Sequence, residues 1–327
     1  MPAEELTVKN LKAAFSSPQG DLTAVNGIDF QIRKGETLAL VGESGCGKTV
    51  SALSILSLIP DPPGKIISGE ILLGDRDLLK LSRKELKDLR GNEIAMIFQD
   101  PLASLNPVLT IGEQITETLL RHLKIPRIEA EKRTEELLAR VEIPSPAEKM
   151  KCYPHQLSGG MRQRAMIAMA LSCTPKILIA DEPTTALDVL IQQQILELLR
   201  QLKEESRMSI LLITHDLGVV KTVAQRVLVM YAGDIVEVSP VSSLMKNPLH
   251  PYTRALIDSL PSESAKKHNP RLPAIPGAVP MLGQRPGGCP FHPRCAIAEP
   301  RCTEEFPELK EIEKERWARC FLAGSGQ

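Results

Sequence analysis

The stretch Gly42-Glu43-Ser44-Gly45-Cys46-Gly47-Lys48-Thr49 constrains this chain more than any other. It fits the phosphate-binding pattern G-x-x-x-x-G-K-[ST]. An apolar, β-type run, Thr37-Leu38-Ala39-Leu40-Val41, leads in, and a helix-compatible run from Val50 to Ile59 leads out. Glycines let the backbone turn tightly with no Cβ in the way. Loop amides can then converge on phosphate oxygens. The helix that follows adds roughly half an elementary positive charge at its N-terminus. In this pattern Lys48 reaches the β- and γ-phosphates and the Thr49 hydroxyl ligates Mg²⁺. The plainer reading is a Gly-rich turn before an ordinary helix; the Lys-Thr pair and the flanking elements weigh against it.

A chain of 327 residues suggests two domains, at roughly 150 residues each. Forty Lys and Arg balance forty Asp and Glu, so net charge does not point to nucleic acid as a partner. The sequence has no apolar run of the roughly 18 residues that a membrane span needs. Met1 to Asn10 carries Glu4, Glu5 and Lys9 without an apolar stretch, so no secretory signal is expected. Seven cysteines, an odd number, fit a cytosolic chain in which disulfides are rare.

Leu6 to Leu11 and Val25 to Ile32 alternate like strands, with a turn expected at Gly20-Asp21. Phe15 follows the first strand and is a candidate to stack on a nucleotide base, or else a core aromatic. Gly69 to Gly74 reads as a short strand, and Ser82 with Glu85 forms a capping-box pattern for a helix to Arg90. Glu93 to Phe98 reads as a buried strand ending at Gln99, a candidate contact for Mg²⁺ or the attacking water. From Leu102 the pattern turns helical, with helices expected over Glu113–Leu123 and Glu129–Ile143.

Ser158 is a good N-cap for a helix to about Cys173, and Gly159 and Gly160 leave that helix start bare, which attracts anions. One chain rarely needs two phosphate sites unless two copies face each other. Ile177 to Ala180 is an apolar strand ending in Asp181 and Glu182. Paired acids at such a strand end sit where α/β proteins bind ligands. Asp181 would hold Mg²⁺ through water and Glu182 would polarise the attacking water. A last buried strand, Ser209 to Thr214, ends at His215, a candidate γ-phosphate contact.

In this order the motifs resemble the nucleotide-binding subunits of ABC transporters. Gly42 to Thr49 matches Walker A, Gln99 the Q-loop and Leu157 to Met161 the signature. Ile177 to Glu182 matches Walker B, Ala186-Leu187-Asp188 the D-loop and His215 the switch histidine. The resemblance spans roughly Leu6 to Val238; Met161 departs from it, standing where the signature usually has Gln. It implies an α/β P-loop fold with a RecA-like core, an antiparallel β subdomain and a helical subdomain over about 101–175. It also implies ATP and Mg²⁺ as cofactors, with Phe15, Gly42, Glu43, Ser44, Gly45, Cys46, Gly47, Lys48, Thr49, Gln99, Ser158, Gly159, Gly160, Asp181 and Asp188 around the nucleotide. Thr49, Gln99 and Asp181 would serve Mg²⁺; Lys48, Gln99, Glu182 and His215 would serve hydrolysis. The family mechanism implies a head-to-tail pair in which each ATP lies between Walker A of one subunit and Ser158-Gly159-Gly160 of the other. Hydrolysis then opens the pair.

Met245 to Leu256 and Gly287 to Cys295 resemble the C-terminal region of oligopeptide and dipeptide importer ATPases, a branch that includes nickel importers. The expected division is an ATPase domain over 1–240 and an extension over 241–327. Many prolines between Pro261 and Pro300 suggest an extended segment wrapped on the domain. Cys289, Cys295, Cys302 and Cys320 form C-x₅-C-x₆-C-x₁₇-C. Four thiolates suit a [4Fe–4S] cluster or Zn²⁺. The intervals lack the close pairs of structural zinc sites, the resemblance favours iron–sulfur, and free thiols are the remaining reading. Cys46, Cys152 and Cys173 read as ordinary cysteines.

The expected role is an ATP-hydrolysing subunit of a peptide importer, peripheral on the cytoplasmic face of the membrane. Its expected partners are permease subunits, a second ATPase subunit and, indirectly, an extracytoplasmic solute-binding protein. A nickel or other small-solute importer is the alternative. A soluble ABC ATPase acting on DNA or ribosomes lacks support: no long coiled coil and no second cassette is visible. A purely regulatory module would be expected to lack Glu182 or His215.

Overall fold

The computed structural model describes residues 4–18, 20–185, 187–260 and 274–324. They fall into two compact units that interleave along the sequence. Residues 4–5, 32–36 and 80–213 form the first; residues 6–31, 37–79 and the chain from Thr214 onward form the second.

In the second unit, an antiparallel sheet runs in the order Gly20–Arg33, Glu4–Ser17, Gly64–Leu73, Arg76–Asp77. The first two strands are longer than their alternation predicts. The expected turn at Gly20-Asp21 is a correction: both residues already lie in the strand. The reversal falls earlier, beside Pro18, whose ring removes an amide donor and fixes φ; the Ser17 hydroxyl donates to the Gly20 carbonyl at 2.7 Å. Five consecutive buried residues make the strand Thr37–Val41, which pairs in parallel with Arg226–Tyr231. A strand covered on both faces needs an apolar run rather than alternation, and both strands have one. Antiparallel strands Asp234–Pro240, Arg316–Ala318 and Lys310–Glu313 extend that sheet. The tail therefore adds two strands that its sequence had not suggested.

Tyr231, Tyr252 and Phe291 pack with Val41, Val229, Val236 and Leu244 into one buried cluster. Ile275, Val279, Cys289 and Cys295 of the tail lean on it. Fully burying a side chain such as Phe291 contributes about 1.5–3 kcal/mol, and this anchors the described part of the Pro-rich tail to the cluster. The part of that segment over 261–273 lies outside the described residues.

In the first unit, strands Ile94–Ile97, Ile177–Asp181 and Ser209–Thr214 pair in parallel. Helices Ile111–Leu123, Arg127–Arg140 and Gly159–Leu171 pack together. Thr110 with Glu113 and Ser82 with Glu85 form complete capping boxes. Arg164 donates to the Val141 carbonyl at 2.8 Å and to Glu142 at 2.7 Å, tying that last helix to the end of the helix before it. Among the described residues no helix is long and apolar enough to cross a membrane.

Candidate nucleotide site and cysteine cavity

The phosphate loop follows Thr37–Val41 directly, and its helix begins at Lys48, two residues before the expected start, and ends at Ile55 rather than Ile59. Gly42 is required by close approach: a Cβ there would sit 2.2 Å from the Met230 carbonyl oxygen. Gly47 caps the helix at φ 107°, a backbone shape that side chains disfavour. Lys48 is 5% exposed, and its Nζ donates to the carbonyls of Gly42 at 2.8 Å and Glu43 at 3.0 Å. The lysine thus closes the loop as a ring around its own ammonium. Ser44 and Gly45 on the loop and Thr49 in the first turn of the helix are exposed. Cys46 is buried, and burial pushes its thiol pKa up. It is packing, not a nucleophile.

Glu43 is placed differently from a simple nucleotide contact. Its N–H donates to the Tyr252 hydroxyl at 2.9 Å, and its carboxylate takes both ends of the Arg294 guanidinium at 2.7 and 3.0 Å. Phe15 is half-buried and pairs across the sheet with Gly64. His215 is exposed in the turn after Thr214, and Asp216 caps the next helix by accepting from Gly218 and Val219.

In the first unit, Asp181 ends its strand buried. Glu182 follows at φ 47°, anchored by its N–H to the Ile213 carbonyl at 2.9 Å. A non-glycine residue in this left-handed region is uncommon and concentrates at functional sites. One carboxylate oxygen of Glu182 accepts from Gln99 Nε2 and from the Thr185 hydroxyl, each at 2.9 Å. The structure therefore joins Gln99 and Glu182, two expected residues, and adds Thr185, which the sequence reading had not singled out. Ser158 caps its helix by accepting from Met161 N–H at 3.3 Å, and it stays exposed beside Gly159. Gly160 lies against Ile191 of the helix Val189–Ser206, which Asp188 caps through the Ile191 amide at 2.9 Å. Ala186 lies outside the described residues.

All seven cysteines are free. Cys289, Cys295, Cys302 and Cys320 line a single small cavity with His250, Phe291 and His292. Burial pushes the Cys289 thiol up to about 11 and raises those of Cys295 and Cys320, with the neighbouring cysteines adding to each. Among the described residues, no group of three or more His, Cys, Asp or Glu side chains is arranged to hold a metal ion. The convergence of the four is real; a finished ligand cage is not present.

A family profile described as "ABC transporter" matches residues 25–185, and one described as "Oligopeptide/dipeptide transporter, C-terminal region" matches residues 236–302. The oligopeptide transport ATP-binding protein AppD of Bacillus subtilis (strain 168) is 52% identical over 97% of this chain and 96% of its own length. The chain belongs to the ATP-binding proteins of ABC transporters, in the oligopeptide/dipeptide group. The dipeptide transport ATP-binding protein DppD of the same organism is 49% identical over 97% of this chain and 94% of its own. Among solved structures, the cassette MJ0796 in a dimeric post-hydrolysis state bound to ADP and phosphate matches at TM-score 0.65 and 28% identity. It covers 72% of this chain and 98% of its own. This family's cassettes bind and hydrolyse ATP, and the resemblance read from the motifs is borne out.

Proposed function

We propose that this chain is the motor subunit of an importer of di- and oligopeptides, working on the cytoplasmic face of the membrane beneath permease subunits. The observation that carries the reading is the union, in one chain, of the ATPase cassette with the C-terminal region named for oligopeptide and dipeptide transporters. The names of the relatives support it, since AppD and DppD are oligopeptide and dipeptide transport proteins. In this reading Lys48 and the loop amides hold the phosphates, while Thr49, Gln99 and Asp181 serve Mg²⁺. Glu182 polarises water and His215 meets the γ-phosphate. Chemistry of this kind is mostly positioning and charge neutralisation. The transporter reconstituted in vesicles should hydrolyse ATP faster when its binding protein is loaded with peptide. Stimulation by nickel and not by peptide would overturn the peptide assignment.

Ser158, Gly159 and Gly160 serve the nucleotide of a second ATPase subunit. The bare, exposed helix start supports this role. Ser158→Arg should reduce ATP-driven pairing and hydrolysis by about 10²-fold or more, because a bulky cation replaces a small hydroxyl at the phosphate. Arg is also a poor N-cap, which costs about 1 kcal/mol of stability. Ser158→Asp keeps the cap and sets a negative charge against phosphate, so it should lose activity while folding normally. Unaltered hydrolysis by a monomeric Ser158→Asp protein would defeat the paired model.

The four tail cysteines bind a metal centre, a [4Fe–4S] cluster before zinc. Their shared cavity supports this, as does the economy of ordering a Pro-rich tail through ligand bonds. Loading would require the thiols to deprotonate and close in. Anaerobically purified protein should be brown and carry stoichiometric iron, and Cys295→Ser should bleach it while ATP binding survives. Colourless protein with zinc would reassign the metal; four titratable thiols and no metal would end the proposal.

A further inference from the structure

We propose that Arg294 is a positioning residue for ATP binding: acting through Glu43, it holds the phosphate loop in its phosphate-accepting shape. The inference rests on the reading of Gly42 to Thr49 as the nucleotide loop, and its test separates the two.

The second position of the phosphate-loop pattern accepts any residue. Here it is a glutamate whose groups are all engaged on the side of the tail or of the loop's own lysine. The Glu43 N–H donates to the Tyr252 hydroxyl at 2.9 Å. Its carbonyl accepts from Lys48 Nζ at 3.0 Å. Its carboxylate accepts two parallel bonds from Arg294, at 2.7 and 3.0 Å. Arg294 is held just as firmly. Its side chain is 5% exposed, Nε donates to the Pro276 carbonyl at 2.8 Å, and Nη1 lies 3.4 Å from the Tyr231 hydroxyl. The guanidinium sits over the Tyr231 ring at 5.8 Å, and Phe291 packs edge-on against Tyr231 with ring centres 5.3 Å apart.

A bidentate Arg–carboxylate pair fixes orientation as well as distance, and a planar fork with its donors already spoken for has little freedom to follow a moving loop. Pinning Glu43 at its N–H, its carbonyl and its side chain fixes the peptide planes on either side of it. The chain between Glu43 and Lys48 is then forced into one ring. A loop that must find that ring for itself is binding-competent only part of the time, and its apparent affinity falls by that fraction. The step after binding is assigned to Glu182 and Gln99, not to this pair. The signature is therefore a change in KM without a change in kcat.

The test uses the full chain. Arg294→Met keeps the stem and removes the fork. It should raise the dissociation constant for ATP and the KM about tenfold, the factor expected for losing a charge-assisted bond, with kcat within twofold. Arg294→Lys should recover part of the shift. Glu43→Ala breaks the same pair from its partly exposed end, without opening a cavity in the tail, and should give the same shift. The double variant should add little to either single one. Wild-type KM in Glu43→Ala overturns the proposal, and that holds even if Arg294→Met fails to fold. A lower melting temperature with unchanged KM in Arg294→Met overturns it too. Lys48→Ala is the control: if it leaves ATP affinity unchanged, the loop is not the nucleotide site and both readings fall together. If it abolishes affinity, the Arg294 variants decide the proposal alone.

Discussion

Glu182→Gln is expected to slow ATP turnover by about 10²–10⁴-fold, the usual contribution of a positioned general base, while ATP affinity stays at its wild-type value. The substitution is nearly isosteric. The bonds from Gln99 Nε2 and from the Thr185 hydroxyl meet one carboxylate oxygen, and the amide oxygen of glutamine can take its place. The backbone bond to Ile213 is untouched. What disappears is the negative charge that, in the proposed role, draws a proton from water. Because binding is spared and cleavage is not, the variant should accumulate with ATP bound and, if pairing is nucleotide-driven, as a closed pair. Size-exclusion chromatography with ATP and a turnover assay measure the two halves separately. Turnover at the wild-type rate would remove Glu182 from its assigned role. Loss of ATP binding would instead mean that the left-handed turn at Glu182 had collapsed.

The motifs that sequence alone exposes are those whose chemistry is local. The phosphate loop needs a glycine where backbone approaches backbone, a lysine to close the ring and a helix start, all within eight residues. Its strand is recognisable because a strand buried on both faces must be apolar throughout. Ser82 and Glu85 announce a capping box because both partners lie within one turn. The same logic explains what was hidden. Arg294 meets Glu43 across 251 positions, and Tyr252 meets it across 209. Both residues stood inside the tail stretches that carried the family resemblance, yet no spacing rule connects an arginine in a Pro-rich tail to a glutamate in a loop. Thr185 is hidden for a different reason: a threonine three residues past an acid at a strand end has no periodic signature, and only the left-handed turn at Glu182 brings its hydroxyl back. The strands Lys310–Glu313 and Arg316–Ala318 are short and half-polar, the first at the sheet's edge and the second next to it. Edge strands carry weak hydrophobic patterns, and charge there guards against unwanted pairing.

Gly47→Ala is expected to weaken ATP binding by about 10²-fold or more while the chain remains folded. Two costs coincide at this position. The backbone sits at φ 107°, outside even the left-handed helical region that non-glycine residues tolerate, and such strain costs about 1–3 kcal/mol. The added Cβ would also lie 2.5 Å from the Ala24 carbonyl oxygen and 2.8 Å from the Met230 methyl. Met230 can swing aside, since it is the end of a flexible side chain, but Ala24 is backbone within a strand and cannot. The loop must therefore shift, and the helix start shifts with it. The Gly47 carbonyl accepts from the Ser51 amide at 2.9 Å and the Ser51 hydroxyl at 3.0 Å, so the first turn is built on this residue. At about 1.4 kcal/mol per factor of ten, the two costs together reach the predicted loss. Gly45→Ala separates them. Gly45 has φ 80° but nothing within 4 Å of a new Cβ, so only the backbone term applies and the loss should be about tenfold. Equal losses at the two glycines would mean that strain alone governs the loop. A full loss at Gly47 with a mild one at Gly45 would place the determinant in the contact with Ala24. Titration of both variants with a fluorescent ATP analogue, alongside their thermal melts, distinguishes the cases.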